Sequence, residues 1–139
     1  MAKVYVLPVA GREAEVNTIR GLIEAAGCEI VCEDTPIDMF ESCIAAADVV
    51  VILICAETVG EKIVADAIRA ANAGGKRIVG VWSAVPGVDA PPEDLEKLGD
   101  AILAWTPDKL GPLICEGEVL WQTSGGGQRP PPKTPRHKC

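Results

Sequence analysis

Carboxylates crowd one short segment of the chain. Cys55-Ala56-Glu57-Thr58-Val59-Gly60-Glu61 follows directly on the most apolar run of the sequence and sets two glutamates four positions apart. A carboxylate at the mouth of a parallel sheet can act as a general base or bond a ribose hydroxyl. Glu57 and Glu61 are therefore candidate catalytic groups, and Asp66, a little farther on, is a third. The same residues also have a plainer reading. Thr58 followed three positions later by Glu61 is a capping box, in which both side chains only satisfy helix N–H groups. A single Asp in mid-helix usually sits on a solvated face.

Three other loops carry residues able to bind a ligand. Pro8-Val9-Ala10-Gly11-Arg12-Glu13 has neither a GxGxxG pattern nor a P-loop lysine. Phosphate could still sit at the following helix start, on free backbone N–H groups with Arg12 adding charge; the alternative is a tight turn with an exposed arginine. Glu33-Asp34-Thr35-Pro36 places Asp34 in a turn, and Trp82-Ser83 ends an apolar run. Trp82 could stack on a base, or it could form the rim of the core. The candidate binding residues are thus Pro8, Gly11, Arg12, Asp34, Cys55, Thr58, Trp82 and Ser83.

His137 is the single histidine and lies near the C-terminus. A Ser-His-Asp or Cys-His triad within the preceding residues is thereby excluded. Cysteines stand at 28, 32, 43, 55, 115 and 139. Their spacing matches no zinc module, so no metal site is expected. Most are expected to behave as small core hydrophobes in a reducing compartment, with Cys139 the most accessible thiol.

The elements that would position these loops follow from periodicity. Lys3 to Val9 reads as a buried strand. Glu13 to Ala26 has apolar residues at Val16, Ile19, Leu22, Ile23 and Ala26, a helical spacing closed by Gly27. Cys28 to Cys32 reads as a strand, and Ile37 to Ala47 as a helix with Met39, Phe40, Cys43, Ile44 and Ala47 on one side. Val49-Val50-Val51-Ile52-Leu53-Ile54 marks a central strand covered on both faces. Gly60 to Ala73 reads as a helix, Lys76 to Trp82 as a strand, 83–92 as a loop and Pro92 to Leu98 as a short helix. Ala101 to Trp105 gives a fifth strand, Pro107 to Ile114 a last helix, and Val119-Leu120-Trp121 an edge strand or a surface segment. Five alternations of strand and helix call for an α/β fold of the flavodoxin-like kind. It would be a three-layer sandwich whose five-stranded parallel sheet runs 2-1-3-4-5. Ligands bind such sheets where strand order reverses, here between the first and third strands.

With 139 residues, 48% of them apolar, the chain suits one domain over 1–122, followed by a Gly/Pro/basic tail over 123–139 that cannot bury a core. All 20 acidic residues precede position 119. Against nine basic ones, they leave residues 1–122 at −11, while the tail carries +4. So acidic a domain is a poor general binder of nucleic acid. No apolar stretch is long enough to span a membrane, and the opening residues lack the pattern of a secretory signal, so a cytoplasmic protein is expected.

Residues 54–82, ICAETVGEKIVADAIRAANAGGKRIVGVW, resemble TIR-like domains, most closely the small bacterial Thoeris-type TIR-like proteins of anti-phage defence. Thr58, Val64, Gly75, Lys76 and Ile78-Val79-Gly80-Val81 fall in step with that family's strand–helix–strand pattern. Upstream, VYVLPVAGREAEVNTIRGLIEAAGCEIVCED and ESCIAAADVVVILI resemble its opening strand, first helix and the lead into its central strand, so the likeness covers about residues 3–82. Two positions depart from it: Ile63 stands where the family has Trp, and Ala67 where it has its catalytic glutamate. Nucleoside deoxyribosyltransferases place a nucleophilic glutamate near the same helix position.

The resemblance implies a signalling or assembly module that binds a nucleotide or a protein partner, including its own copies, with catalysis lost or altered. NAD or a related nucleotide would then be ligand or substrate. The alternative is an active NAD glycohydrolase/cyclase or deoxyribosyltransferase-like enzyme using a carboxylate of the 57–66 region. A receiver domain would need an acidic pair after the first strand and an Asp after the third, and a flavodoxin a Ser/Thr-rich phosphate loop; the sequence has neither.

Overall fold

The computed structural model describes residues 2–33, 35–84 and 90–116. In chain order these form β1 (Lys3–Val6), α1 (Glu13–Ala25), β2 (Glu29–Ile30), a 3-10 turn (Ile37–Met39), α2 (Phe40–Ala46), β3 (Val49–Ile54), α3 (Lys62–Ala73), β4 (Arg77–Trp82), α4 (Glu93–Leu98), β5 (Ala101–Leu103) and α5 (Pro107–Glu116). All five strands are parallel, in the order β2-β1-β3-β4-β5. This is the α/β, flavodoxin-like arrangement that alternating strands and helices dictate.

β3 holds the sheet together. All six of its residues are buried, and it pairs with β1 over three positions and with β4 over six. Because successive strand side chains point to opposite faces, the run divides evenly. Val49, Val51 and Leu53 meet α1 and α5, through Val16, Ile19, Ile23, Leu110 and Ile114. Val50, Ile52 and Ile54 meet α2, α3 and α4, through Phe40, Ile44, Val64, Ala67, Ile68 and Leu95. Each such side chain taken fully from water contributes about 1.5–3 kcal/mol.

Several elements differ from the periodicity reading, each for a local reason. β2 is only two residues long, because Cys32 turns into the left-handed region at φ 60° and ends the pairing. Residues 37–39 form a 3-10 turn after Pro36, which leaves Met39 55% exposed rather than on the buried side of a longer helix. Gly60 has φ 82°, so α3 starts at Lys62. β5 stops at Leu103, and α5 runs two residues past Ile114 to Glu116. The expected strand or surface segment at 119–121 and the tail, with His137 and Cys139, lie outside the described residues.

The cysteines also depart from expectation. Cys28 is joined to Cys115, and Cys32 to Cys43, as disulfides, while Cys55 is a buried free thiol. The first bridge ties the start of β2 to α5. The second closes the loop that leads into α2. On chain-entropy grounds, loops of these lengths contribute about 4.5 and about 3 kcal/mol respectively. Among the described residues, no helix is long and apolar enough to cross a membrane.

Helices α1 and α5 approach so closely that a Cβ on Gly111 would strike the carbonyl oxygen of Leu22 and come within 3.0 Å of the Ala26 Cβ. A backbone neighbour cannot swing aside as a flexible side chain would. Gly111→Ala is expected to destabilise the protein by about 1–3 kcal/mol. Gly21→Ala, on the exposed face of α1 with nothing near its added methyl, should stabilise it by about 0.5–1 kcal/mol. Urea denaturation of the two variants checks both signs.

Candidate functional site

Three loops at the C-terminal edge of the sheet are joined by one cluster of charged side chains. Arg12, the N-cap of α1, extends over the loop after β3 and grips Glu57 with both sides of its fork: Nε donates to Oε2 at 2.7 Å and Nη2 to Oε1 at 3.1 Å. Its Nη1 donates to Glu15 Oε1 at 3.1 Å and to Ser83 Oγ at 3.4 Å. Glu15 in turn accepts from the Ser83 hydroxyl at 2.8 Å and from the Ala84 N–H at 3.0 Å. The ends of β1, β3 and β4 are thus tied through one guanidinium and two carboxylates. Bidentate pairing of this kind is among the stronger and more directional side-chain interactions.

The pairing sets the charge states. The Arg12 hydrogen bonds hold the Glu57 carboxyl below the usual carboxylate range, and the Glu57 hydrogen bond raises the Arg12 guanidinium in return. Glu57 therefore stays ionised in any solvent near neutrality.

Beside this cluster, over the ends of β1, β2 and β3, lies an open cleft of about 800 Å³. Its walls come from Pro8, Val9 and Ala10 after β1, from Glu13, Asn17 and Arg20 on α1, and from Glu33, Thr35, Pro36 and Ile37 after β2. Glu57, Thr58, Glu61, Ile63 and Val64 complete it. Its position is the switch point at which strand order reverses. Among the described residues, four glutamates face one arginine in the lining. Glu13 Oε2 accepts the Gly11 N–H at 2.9 Å, whereas Glu61 makes no side-chain hydrogen bond or ion pair with any described residue. The disulfide Cys32–Cys43 brackets the Glu33–Ile37 wall.

The structure brings some of the sequence-derived candidates together and separates others. Pro8, Glu57, Thr58 and Glu61 line the cleft. Thr58 is nonetheless fully engaged in holding the loop: its hydroxyl lies 2.7 Å from the Leu53 carbonyl and accepts the Cys55 N–H at 3.0 Å. It does not cap α3, whose N-cap is Glu61 with no side-chain cap bond, so the capping-box reading is set aside. Gly11, at φ 85°, gives its N–H to Glu13, and Arg12 is occupied by Glu57 and Glu15. The first loop is therefore not an open phosphate cradle.

Cys55 and Trp82 are buried, Trp82 in the core on the face of the sheet that α3 and α4 cover at β4. Ser83 belongs to the Arg12 cluster. Asp66 lies outside the cleft lining, 3.8 Å from Arg69, which reaches on to Asp94 of α4 at 3.1 Å. Ala67 is fully buried against the sheet. Asp34 lies outside the described residues. Sequence reasoning passed over Glu13, Asn17 and Arg20. Their i, i+4, i+7 spacing on α1 was the available signal, since it puts all three on one helix face.

No family model matches the chain, and no curated protein does. Among solved structures, the chain is similar to "Structure of Clostridium botulinum CMP N-glycosidase, BcmB", with a TM-score of 0.52 and 15% identity, over 82% of this chain and 96% of that one. At that identity the likeness speaks for the fold.

Because Glu57 titrates below an unfolded glutamate (about 4.3), the stability it contributes is present above that value and is lost as pH falls through its folded pKa. Glu57→Gln should lower the urea midpoint at pH 7. The gap to the wild type should narrow as pH drops below about 4. A pH-independent gap between the two proteins would contradict the clamp.

Proposed function

We propose that the chain is an enzyme that cleaves the N-glycosidic bond of a nucleoside or nucleotide, working in the cleft over β1 and β3. The observation that carries the reading is the pairing of two unlike carboxylates in one cleft: Glu57, clamped and ionised by Arg12, and Glu61, unpartnered among the described residues. Cleavage of a glycosidic bond passes through an oxocarbenium-like state, which a fixed carboxylate stabilises. The C–N bond breaks with its electron pair on the base, which takes a proton from water. A second carboxylate bonds the anomeric carbon as a glycosyl ester that water then hydrolyses to the free sugar. Glu61 is assigned the second role and Glu57 the first. The similarity in fold to a CMP N-glycosidase supports the same class of chemistry.

The test is release of free base from the four common ribonucleosides and their 5′-monophosphates, followed by chromatography. The wild type is expected to release base from at least one of them. Glu61→Gln should reduce turnover by about 10²–10⁴-fold. No release from any of the eight, or full activity in both Glu61→Gln and Glu57→Gln, would overturn the reading.

A second reading, a TIR-like binding module without catalysis, is favoured by one observation. The helix position at which that family carries its catalytic glutamate is Ala67, sealed in the core. Nucleotide binding with no base release, accompanied by self-association, would favour that module.

A further inference from the structure

Arg20 stands apart from the other described arginines of this acidic domain. Arg12 and Arg69 each pair with a carboxylate, and Arg77 donates to the Ile114 carbonyl. Arg20 lines the same cleft as four glutamates, yet it ion-pairs with none of the described residues. Its Nη1 is steadied by Asn17 Oδ1 at 3.1 Å, and its Nε is buried with no hydrogen-bond partner. A buried N–H left unpaired is costly, and native structures seldom keep one without a reason. Close by on β1, the fully buried Tyr5 hydroxyl also has no partner. Burial pushes it up to about 12, against the opposing pull of the Arg20 charge.

We propose that Arg20 is the anion subsite of the cleft and that the ligand is a nucleoside 5′-monophosphate, whose phosphate Arg20 holds; the inference rests on the N-glycosidic reading above. Arg20 lies seven residues after Glu13 on α1, about 10 Å along the axis. Helical side chains lean back toward the N-terminus, so its long arm reaches toward the cleft rather than away from it. Of the lining carboxylates, Glu57 and Glu61 come from the loop after β3, Glu13 from α1 and Glu33 from the loop after β2, and the Arg20 guanidinium stands among them with no ion pair to any described residue. A nucleoside monophosphate suits one free guanidinium beside that pair of carboxylates, since its dianion sits one ribose away from the anomeric carbon on which Glu57 and Glu61 act. A planar guanidinium also suits the geometry of a phosphate better than an ammonium does.

The experiment measures binding to the full chain by calorimetry. The probes are the four ribonucleoside 5′-monophosphates, their parent nucleosides, and ribose 5-phosphate against ribose, with wild type, Arg20→Gln and Arg20→Lys. For the wild type, at least one monophosphate is expected to bind tenfold or more tighter than its nucleoside, and ribose 5-phosphate tighter than ribose. Arg20→Gln should erase both gains and leave the nucleoside affinity unchanged. Arg20→Lys should restore part of them, which also guards against a merely misfolded variant. Equal affinity for phosphorylated and unphosphorylated probes overturns the inference while leaving the glycosidic reading in place, and so does a uniform loss in Arg20→Gln that Arg20→Lys does not repair. Failure of every probe to bind the wild type removes both.

Discussion

A single guanidinium decides how the working edge of this molecule is built. Arg12 takes Glu57 from the loop after β3, Glu15 from its own helix and Ser83 from the end of β4, and so fixes three strand ends relative to one another. The cluster is partly open to water, so its value lies less in net stability than in geometry. A bidentate arginine–carboxylate pair permits few relative orientations of the loops that carry it. Without it, the glutamates after β3 would have no fixed relation to α1.

The sheet supplies the rest of the constraint. Because β1 is flanked by β2 and β3, the connections leaving β1 and β3 run to helices on opposite faces, and a crevice opens between them. α1 contributes one wall, with Glu13, Asn17 and Arg20; α3 contributes another, with Ile63 and Val64. The third wall is the loop after β2, which has little strand pairing of its own to hold it. There the Cys32–Cys43 bridge does what hydrogen bonding does elsewhere. Among the described residues the lining joins apolar side chains to four glutamates and one arginine, a combination suited to a ligand that carries a sugar and a negative charge.

The backbone architecture was legible in the sequence because it depends on short-range periodicity. Val49 to Ile54 could only be a doubly covered central strand, and the Val16-Ile19-Ile23 stripe fixed the face of α1. Alternation of strand and helix, with the handedness of crossovers, then left little choice of strand order. The site was legible only in part. The loop carrying Glu57 and Glu61 stood out through its composition, but what Glu57 meets did not, since Arg12 lies 45 residues away and Glu15 reaches Ser83 across 68. No local pattern encodes such pairs. The same holds for Cys28 and Cys115, 87 residues apart, whose types and spacing read equally well as buried thiols. Asp66 shows the opposite error: its residue type suggested chemistry, but its helix face turns it toward Arg69 and α4.

The most direct test of the account is the state of the Arg12 side chain in solution, read by NMR from its Nε–H. A guanidinium clamped between Glu57 and Glu15 should give a slowly exchanging Nε–H signal at neutral pH, lost in Glu57→Gln and lost again as acid protonates Glu57. An Arg12 Nε–H that exchanges freely in the wild type, indistinguishable from that in Glu57→Gln, would contradict the claim that this one side chain holds the cleft together.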